Sequence, residues 1–145
     1  MVISCKKKQP HELTGEKAIF VGTWNWVYST HRHNYCDGGG VVTDTLTPVS
    51  VGHNFTIHFF EEGQLNYFQD EELIRTNNVF LSEFGESITC SDINSMRFSI
   101  SYEPDKEGEL NGCIRKDTIR AISFEDFLFP YTPGCEDYHN YFVKE

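Results

Sequence analysis

A chain of 145 residues has the usual length of one domain, enough to bury about two-thirds of the surface that its unfolded form exposes. Its formal net charge of −10 excludes a broad phosphate-binding face, and Lys6-Lys7-Lys8 is the only basic run, so no nucleic-acid partner is expected. Aromatic residues make up 14% of the chain and favour strands over helices, and no stretch reaches the roughly 20 apolar residues of a membrane-crossing helix.

In chain order, Val2-Ile3-Ser4-Cys5 comes first, with the aliphatic, small, Cys order of a bacterial lipoprotein processing site. The hydrophobic stretch that normally precedes such a site is missing from the sequence. Lys6 to Lys17 is polar and contains Pro10 and Gly15, so residues 1–17 read as a tether and residues 18–145 as the folded domain. On this reading Cys5 carries lipid, and the lipid alone holds the protein at the bacterial cell envelope, as a periplasmic or outer-membrane-associated protein. Five cysteines are an odd count; lipid on Cys5 leaves Cys36, Cys90, Cys113 and Cys135, an even set for an oxidising compartment. The alternative is five reduced thiols in the cytosol.

From Ala18 to Tyr28 the even positions Phe20, Gly22, Trp24, Trp26 and Tyr28 share one strand face. Residues 29 to 53, rich in His, Gly and Asp, read as a long loop, with Gly38-Gly39-Gly40 supplying flexibility. Short strands follow at Asn54–Glu61, Gln64–Gln69, Leu73–Leu81, Ser87–Cys90, Met96–Tyr102, Thr118–Phe124 and Tyr138–Val143. The turns between them include Glu62-Gly63, Asp70-Glu71-Glu72, Phe84-Gly85 and Ser91–Asn94. Residues 109–117 suit a further strand or a loop, and Asp70–Asn77 admits a helical turn. The pattern predicts an all-β domain, a single antiparallel up-and-down barrel of about eight strands, with a two-sheet sandwich as the alternative.

Gly22-Thr23-Trp24 resembles the Gly-x-Trp signature of lipocalins, whose Trp packs across the closed floor of the barrel. The wider order is similar to lipocalin-like lipoproteins of the Bacteroidetes kind. It comprises Leu13-Thr14-Gly15, Gly22 to Ser29, Thr47 to Gly52, Phe59 to Gly63, Tyr67-Phe68, and Pro133 to Tyr138 before the last strand. The resemblance implies a lipocalin-like barrel with Gly22 and Trp24 at its floor. In place of the Arg that secreted lipocalins stack on this Trp, only Lys144 stands on the last strand.

A meander would bring the 29–53 loop, the Asp70 turn, the Ser91 turn and the 125–137 loop to the mouth. Trp26, Tyr28, Tyr35, Phe127, Phe129 and Tyr131 would then form an aromatic site for a small apolar molecule or a glycan, or else plug that end. The same topology places Cys36 beside Cys135 and leaves Cys90 with Cys113, one of three connectivities.

His31-Arg32-His33, with Asp37 and His53, has no third ligand at metal-site spacing, so no metal and no cofactor is expected. Glu61-Glu62 and Glu71-Glu72 fall at hairpin tips as solvated charge. Nucleophile-elbow and phosphate-loop motifs are missing, which points to a non-enzymatic module. The alternative function is a structural or protein-interaction module, an envelope partner or inhibitor, with a side-chain-filled barrel.

Overall fold

The computed structural model describes residues 11–34, 41–86, 90, 95–103, 108–122 and 136–145. Alternating large apolar and polar residues lie in nine strands among these: β1 (Gly22–Asn34), β2 (Val41–Leu46), β3 (Phe55–Phe59), β4 (Gln64–Gln69), β5 (Glu72–Glu86), β6 (Met96–Glu103), β7 (Gly108–Ile114), β8 (Thr118–Ile122) and β9 (Glu136–Lys144). A 3-10 helix, Gly15–Phe20, precedes β1, and one short turn of helix, α1 (Pro48–Val51), separates β2 from β3. Neighbouring strands pair antiparallel in the order β2-β1-β3-β4-β5-β6-β7-β8-β9, and β9 returns to β1. Eight strands therefore close a barrel of the expected all-β, up-and-down kind, and β2 is an additional strand.

Closure depends on the length of β1. One edge pairs with β9 from Trp24 to His33, while the other pairs with β3 over Gly22–Asn25 and with β2 over Ser29–Asn34. Strands β2 and β3 run down the same edge of β1 as an interrupted pair. The interruption is encoded locally. Thr47 caps α1 by accepting from the Ser50 N–H at 3.1 Å, Pro48 opens the helix, and Gly52 ends it in the left-handed region at φ 82°.

The end where β1 begins is filled. Phe20, at the end of the 3-10 helix, is wholly buried, with ring centroids 5.6 Å from Phe59, 5.8 Å from Phe84 and 5.2 Å from Phe98. The Trp24 indole N–H donates to the Phe20 carbonyl at 2.7 Å, and the Lys144 ammonium sits 5.3 Å from the Trp24 ring centroid while donating to the Ile19 carbonyl at 3.4 Å. Gly22 has φ +127°, and a Cβ there would lie 3.0 Å from Lys144 Cε, so both backbone and space call for glycine. Gly22 and Trp24 lie together at this end, with Lys144 as the cation on the ring.

Several elements differ from the sequence reading. Residues 11–17, assigned to a tether, pack on the barrel: Leu13 is fully buried and its N–H donates to the Glu61 carbonyl at 2.8 Å, while the His11 N–H donates to Val79 O and His11 Nδ1 accepts from the Leu81 N–H. His11 thereby covers the outward ring of Phe80, 6.2 Å away between centroids. Residues 18–20 are 3-10 helix, so the first strand starts at Gly22. Much of 29–53 is structured, because β1 runs on to Asn34 and β2 folds back against it. Asp70–Asn77 forms no helical turn; it spans the β4–β5 turn and the start of β5.

The expected break at Phe84-Gly85 is absent. Strand β5 runs unbroken to Glu86 and absorbs an irregularity between Leu81 and Glu83. Residues 108–114 supply the strand that keeps the total at eight. Because β5 is one strand and not two, one chain reversal disappears. The link between β5 and β6 leaves Glu86 and rejoins the sheet at Met96, both at the closed end; Ser91–Asn94, expected as a turn at the mouth, fall outside the described residues.

Cys90, in that link, is joined to Cys113 of β7, with Cα atoms 5.9 Å apart, which is the pairing anticipated for these two cysteines. The bond spans a sequence separation of 23, for which loop-closure entropy gives about 3 kcal/mol of stability. Replacing both cysteines by Ala should lower the urea unfolding free energy by about that amount. Trp24→Phe, which strands the Phe20 carbonyl and puts a smaller phenyl ring in place of the indole under Lys144, should lower it by about 1–3 kcal/mol in the same assay.

Candidate functional site

Inward-facing residues change character along β1. Trp24 and Trp26 point into the barrel, but the register against β9 slips between Trp26 and Tyr28, so the next inward residues are Ser29 and His31, both buried. Tyr28, expected to line the interior, is thrown outward instead. It stacks on Tyr141 at a centroid distance of 4.2 Å and an interplanar angle of 17°, and the Arg120 guanidinium lies 5.5 Å over Tyr141. Burial, and the neighbouring Tyr141, push the Tyr28 hydroxyl above its ordinary pKa.

The buried groups near this slip form a hydrogen-bond chain of fixed polarity. Trp26 Nε1 can only donate, and it reaches Ser29 Oγ at 2.8 Å; the Ser29 hydroxyl must then donate onward, to Asn140 Oδ1. Asn140 is therefore oriented with Nδ2 away from the chain, and that atom is buried without a hydrogen-bond partner. Beside it lies an aromatic set: Trp26 and Phe55 centroids are 5.3 Å apart, Phe55 stacks on Tyr67 at 5.9 Å, and the Arg75 guanidinium lies 5.8 Å from the Tyr67 ring. Burial drives the Tyr67 hydroxyl far above its ordinary pKa, and Arg75 offsets only part of that. The barrel is thus apolar at its closed end and mixed aromatic and polar above it.

Trp26, Val27 and Tyr28 have no register partner on the β2/β3 edge of β1, because β3 ends its pairing at Asn25 and β2 begins at Ser29. Beside this break lies a cleft of about 430 Å³, with Trp26 and Phe55 at its base and Asn25, Asn54, Thr56, Asp70 and Glu71 around it. A second groove of about 360 Å³ runs on over the outer face of β1, β3 and β4, lined by Thr23, Asn25, Thr56, His58, Phe68, Glu71 and Glu145. Asn25, Thr56 and Glu71 belong to both. Thr56 Oγ1 donates to Asn25 Oδ1 at 3.1 Å.

The rim of the cleft is a two-residue turn in which both Asp70 (φ 50°) and Glu71 (φ 68°) are left-handed, at positions where Asn-Gly is the usual pair. The turn is held by its first residue. Asp70 Oδ1 accepts from the Asn54 N–H at 2.8 Å, Asp70 Oδ2 meets His53 Nδ1 at 2.6 Å, and the Asp70 N–H donates to the Asn54 carbonyl at 2.9 Å. The Asn54 N–H first, and His53 second, hold the Asp70 carboxyl below its ordinary pKa.

Of the aromatic residues expected at a binding site, Trp26 lies in the cleft and Tyr28 lies outside the barrel. Tyr35, Phe127, Phe129 and Tyr131, with Cys5, Cys36 and Cys135, fall outside the described residues. His53 is engaged by Asp70, while His31 points into the barrel, so these two do not converge. Among the described residues no group of three or more His, Cys, Asp and Glu side chains is arranged to hold a metal ion. Asn25, Asn54 and Thr56 were not singled out from sequence, whereas the Asp70 turn was expected at the mouth and Glu71 as solvated charge at a hairpin tip. The detectable signal was the polar outer face of the two strands carrying Thr23/Asn25 and Thr56/His58, but their adjacency is a matter of register. Comparison with protein families, with curated proteins and with solved structures finds no match.

Because Asp70 has its pKa lowered in the folded state, its stabilising contribution is complete above the ordinary carboxylate range and is lost as pH falls through the lowered value. Amide resonances of residues 53–54 and 69–72 should therefore shift together on acidification below about pH 4. Asp70→Asn should remove that step; an unchanged titration would show that the carboxylate does not hold the turn.

Proposed function

We propose that this chain is a non-enzymatic, lipocalin-like binding domain of a bacterial cell-envelope lipoprotein, anchored through Cys5 and carrying a small molecule or glycan. The observation that carries the binding reading is the cleft of about 430 Å³ beside the break in the β1 edge, where two otherwise buried rings, Trp26 and Phe55, meet a polar rim. Its size falls within the range of ligand sites, roughly 300–1,000 Å³. A mixed apolar base and convergent polar groups is the usual lining of such sites. The Gly22-Trp24-Lys144 arrangement at the closed end supports the lipocalin-like reading. The Cys90–Cys113 bond fits an oxidising compartment outside the cytoplasm and so supports the envelope reading.

A second reading, a protein-interaction module, is favoured by the apolar side chains left on the surface. Leu73 and Ile74, adjacent at the start of β5, are each half exposed, and Val49 on α1 is almost wholly exposed. Native mass spectrometry of the protein taken from membranes of the cells that make it separates the two. A retained small molecule or sugar, together with a lipid-bearing N-terminal peptide, is the expected result. A ligand-free chain recovered with a co-purifying protein would establish the second reading and overturn the first.

A further inference from the structure

Resting on the binding reading, we infer that the ligand is a neutral glycan of at least two sugar units, held on the outer wall of the barrel in the two-lobed groove over β1, β3 and β4, and not down the barrel axis. The two lobes, about 430 and 360 Å³, share Asn25, Thr56 and Glu71, so they form one continuous track with a polar waist. A single compact ligand would fill one lobe. A linear chain of rings matches two lobes in series.

The lining chemistry selects for hydroxyl groups. At the waist the Asn25 carbonyl oxygen accepts from Thr56, leaving its two N–H donors, and Glu71 adds a carboxylate acceptor to the same lining. A sugar hydroxyl both donates and accepts, so a pair of neighbouring hydroxyls satisfies an amide and a carboxylate together. One lobe carries the half-buried, outward ring of Phe68; Trp26 and Phe55 reach the other only with the small part of their surface that is not buried in the barrel. The Phe68 ring suits the apolar C–H face of a pyranose. Asp70, Glu71 and Glu145 make the track acidic, which repels uronate-bearing or phosphorylated chains and leaves neutral ones.

The waist acceptor is held in a conformation that its residue type disfavours. Glu71 sits at φ 68°, where glycine would be relaxed, and it is kept there by the contacts that Asp70 makes to His53 and Asn54.

The test uses the full chain on an array of neutral and uronate-containing glycans, followed by calorimetric titration with the best-binding neutral glycan and its one- to four-unit fragments. Binding to neutral chains that strengthens from one unit to two is expected. Asn25→Ala and Glu71→Gln, both exposed positions, should each weaken it by about three- to tenfold with unchanged melting temperature. Glu71→Gly should weaken binding while raising the melting temperature, a combination that a merely structural turn residue would not produce. Binding insensitive to Asn25 and Glu71, or a preference for uronate chains, overturns the inference. Failure to bind any glycan while natively isolated protein still carries a small molecule also overturns it, and leaves the binding reading standing. Failure of both removes the two together.

Discussion

Everything in this barrel depends on β1 meeting β9, and the contact that secures their meeting is Trp24. Its indole N–H is tied to the Phe20 carbonyl, its face lies under the Lys144 ammonium, and Lys144 in turn reaches the Ile19 carbonyl. One side chain therefore joins the 3-10 helix, the first strand and the last. The same residues bury Phe20 among Phe59, Phe84 and Phe98, so sealing the floor and closing the sheet are a single packing event. Gly22 permits it, since any Cβ at that φ would press on Lys144.

A strand long enough to close the barrel creates a second problem on its other edge. Strand β1 is 13 residues long and β3 only five, so β3 cannot pair with all of it. The chain covers the remainder with β2, and between the two lie α1 and a three-residue stretch of β1 without a ladder partner on that edge. The slip between Trp26 and Tyr28 falls in this stretch, where the backbone has slack to absorb it. Its consequences are local but large: Tyr28 leaves the interior, Ser29 and His31 enter it, and the cleft lies beside the break. The site and the irregularity share one physical origin.

The two ends of the molecule are built differently. The closed end is fastened by the Trp24 contacts, by the Cys90–Cys113 bond and by residues 11–13, which add hydrogen bonds to β5 and to the β3–β4 turn. The lateral groove is bounded by an exposed turn held by one carboxylate. Rigid support beneath a less constrained rim is the arrangement in which a surface groove can be retuned without unsettling the core.

Much of the architecture could be read from the residues themselves. Strict alternation at Phe55-Ile57-Phe59 and at Phe98-Ile100 dictates strands with one buried face, because this signal is carried within a few neighbouring positions. The all-β class followed from them, while the pairing of β1 with β9 decided for a barrel over a two-sheet sandwich. What remained hidden depends on contacts between distant segments. The inward period of β1 predicts Tyr28 inside, and only its pairing with β9 shows the slip that turns it outward. The polarity of residues 11–17 suggests a linker, yet Leu13 and His11 find partners on β3–β5 that no local pattern announces. Asn25 and Thr56, which share the waist of the groove, are 31 residues apart; the sequence alone determined that each is polar and outward, while the register of β1 against β3 decided that they stand side by side, since hydrogen-bond ladders and not local preference choose which strands become neighbours.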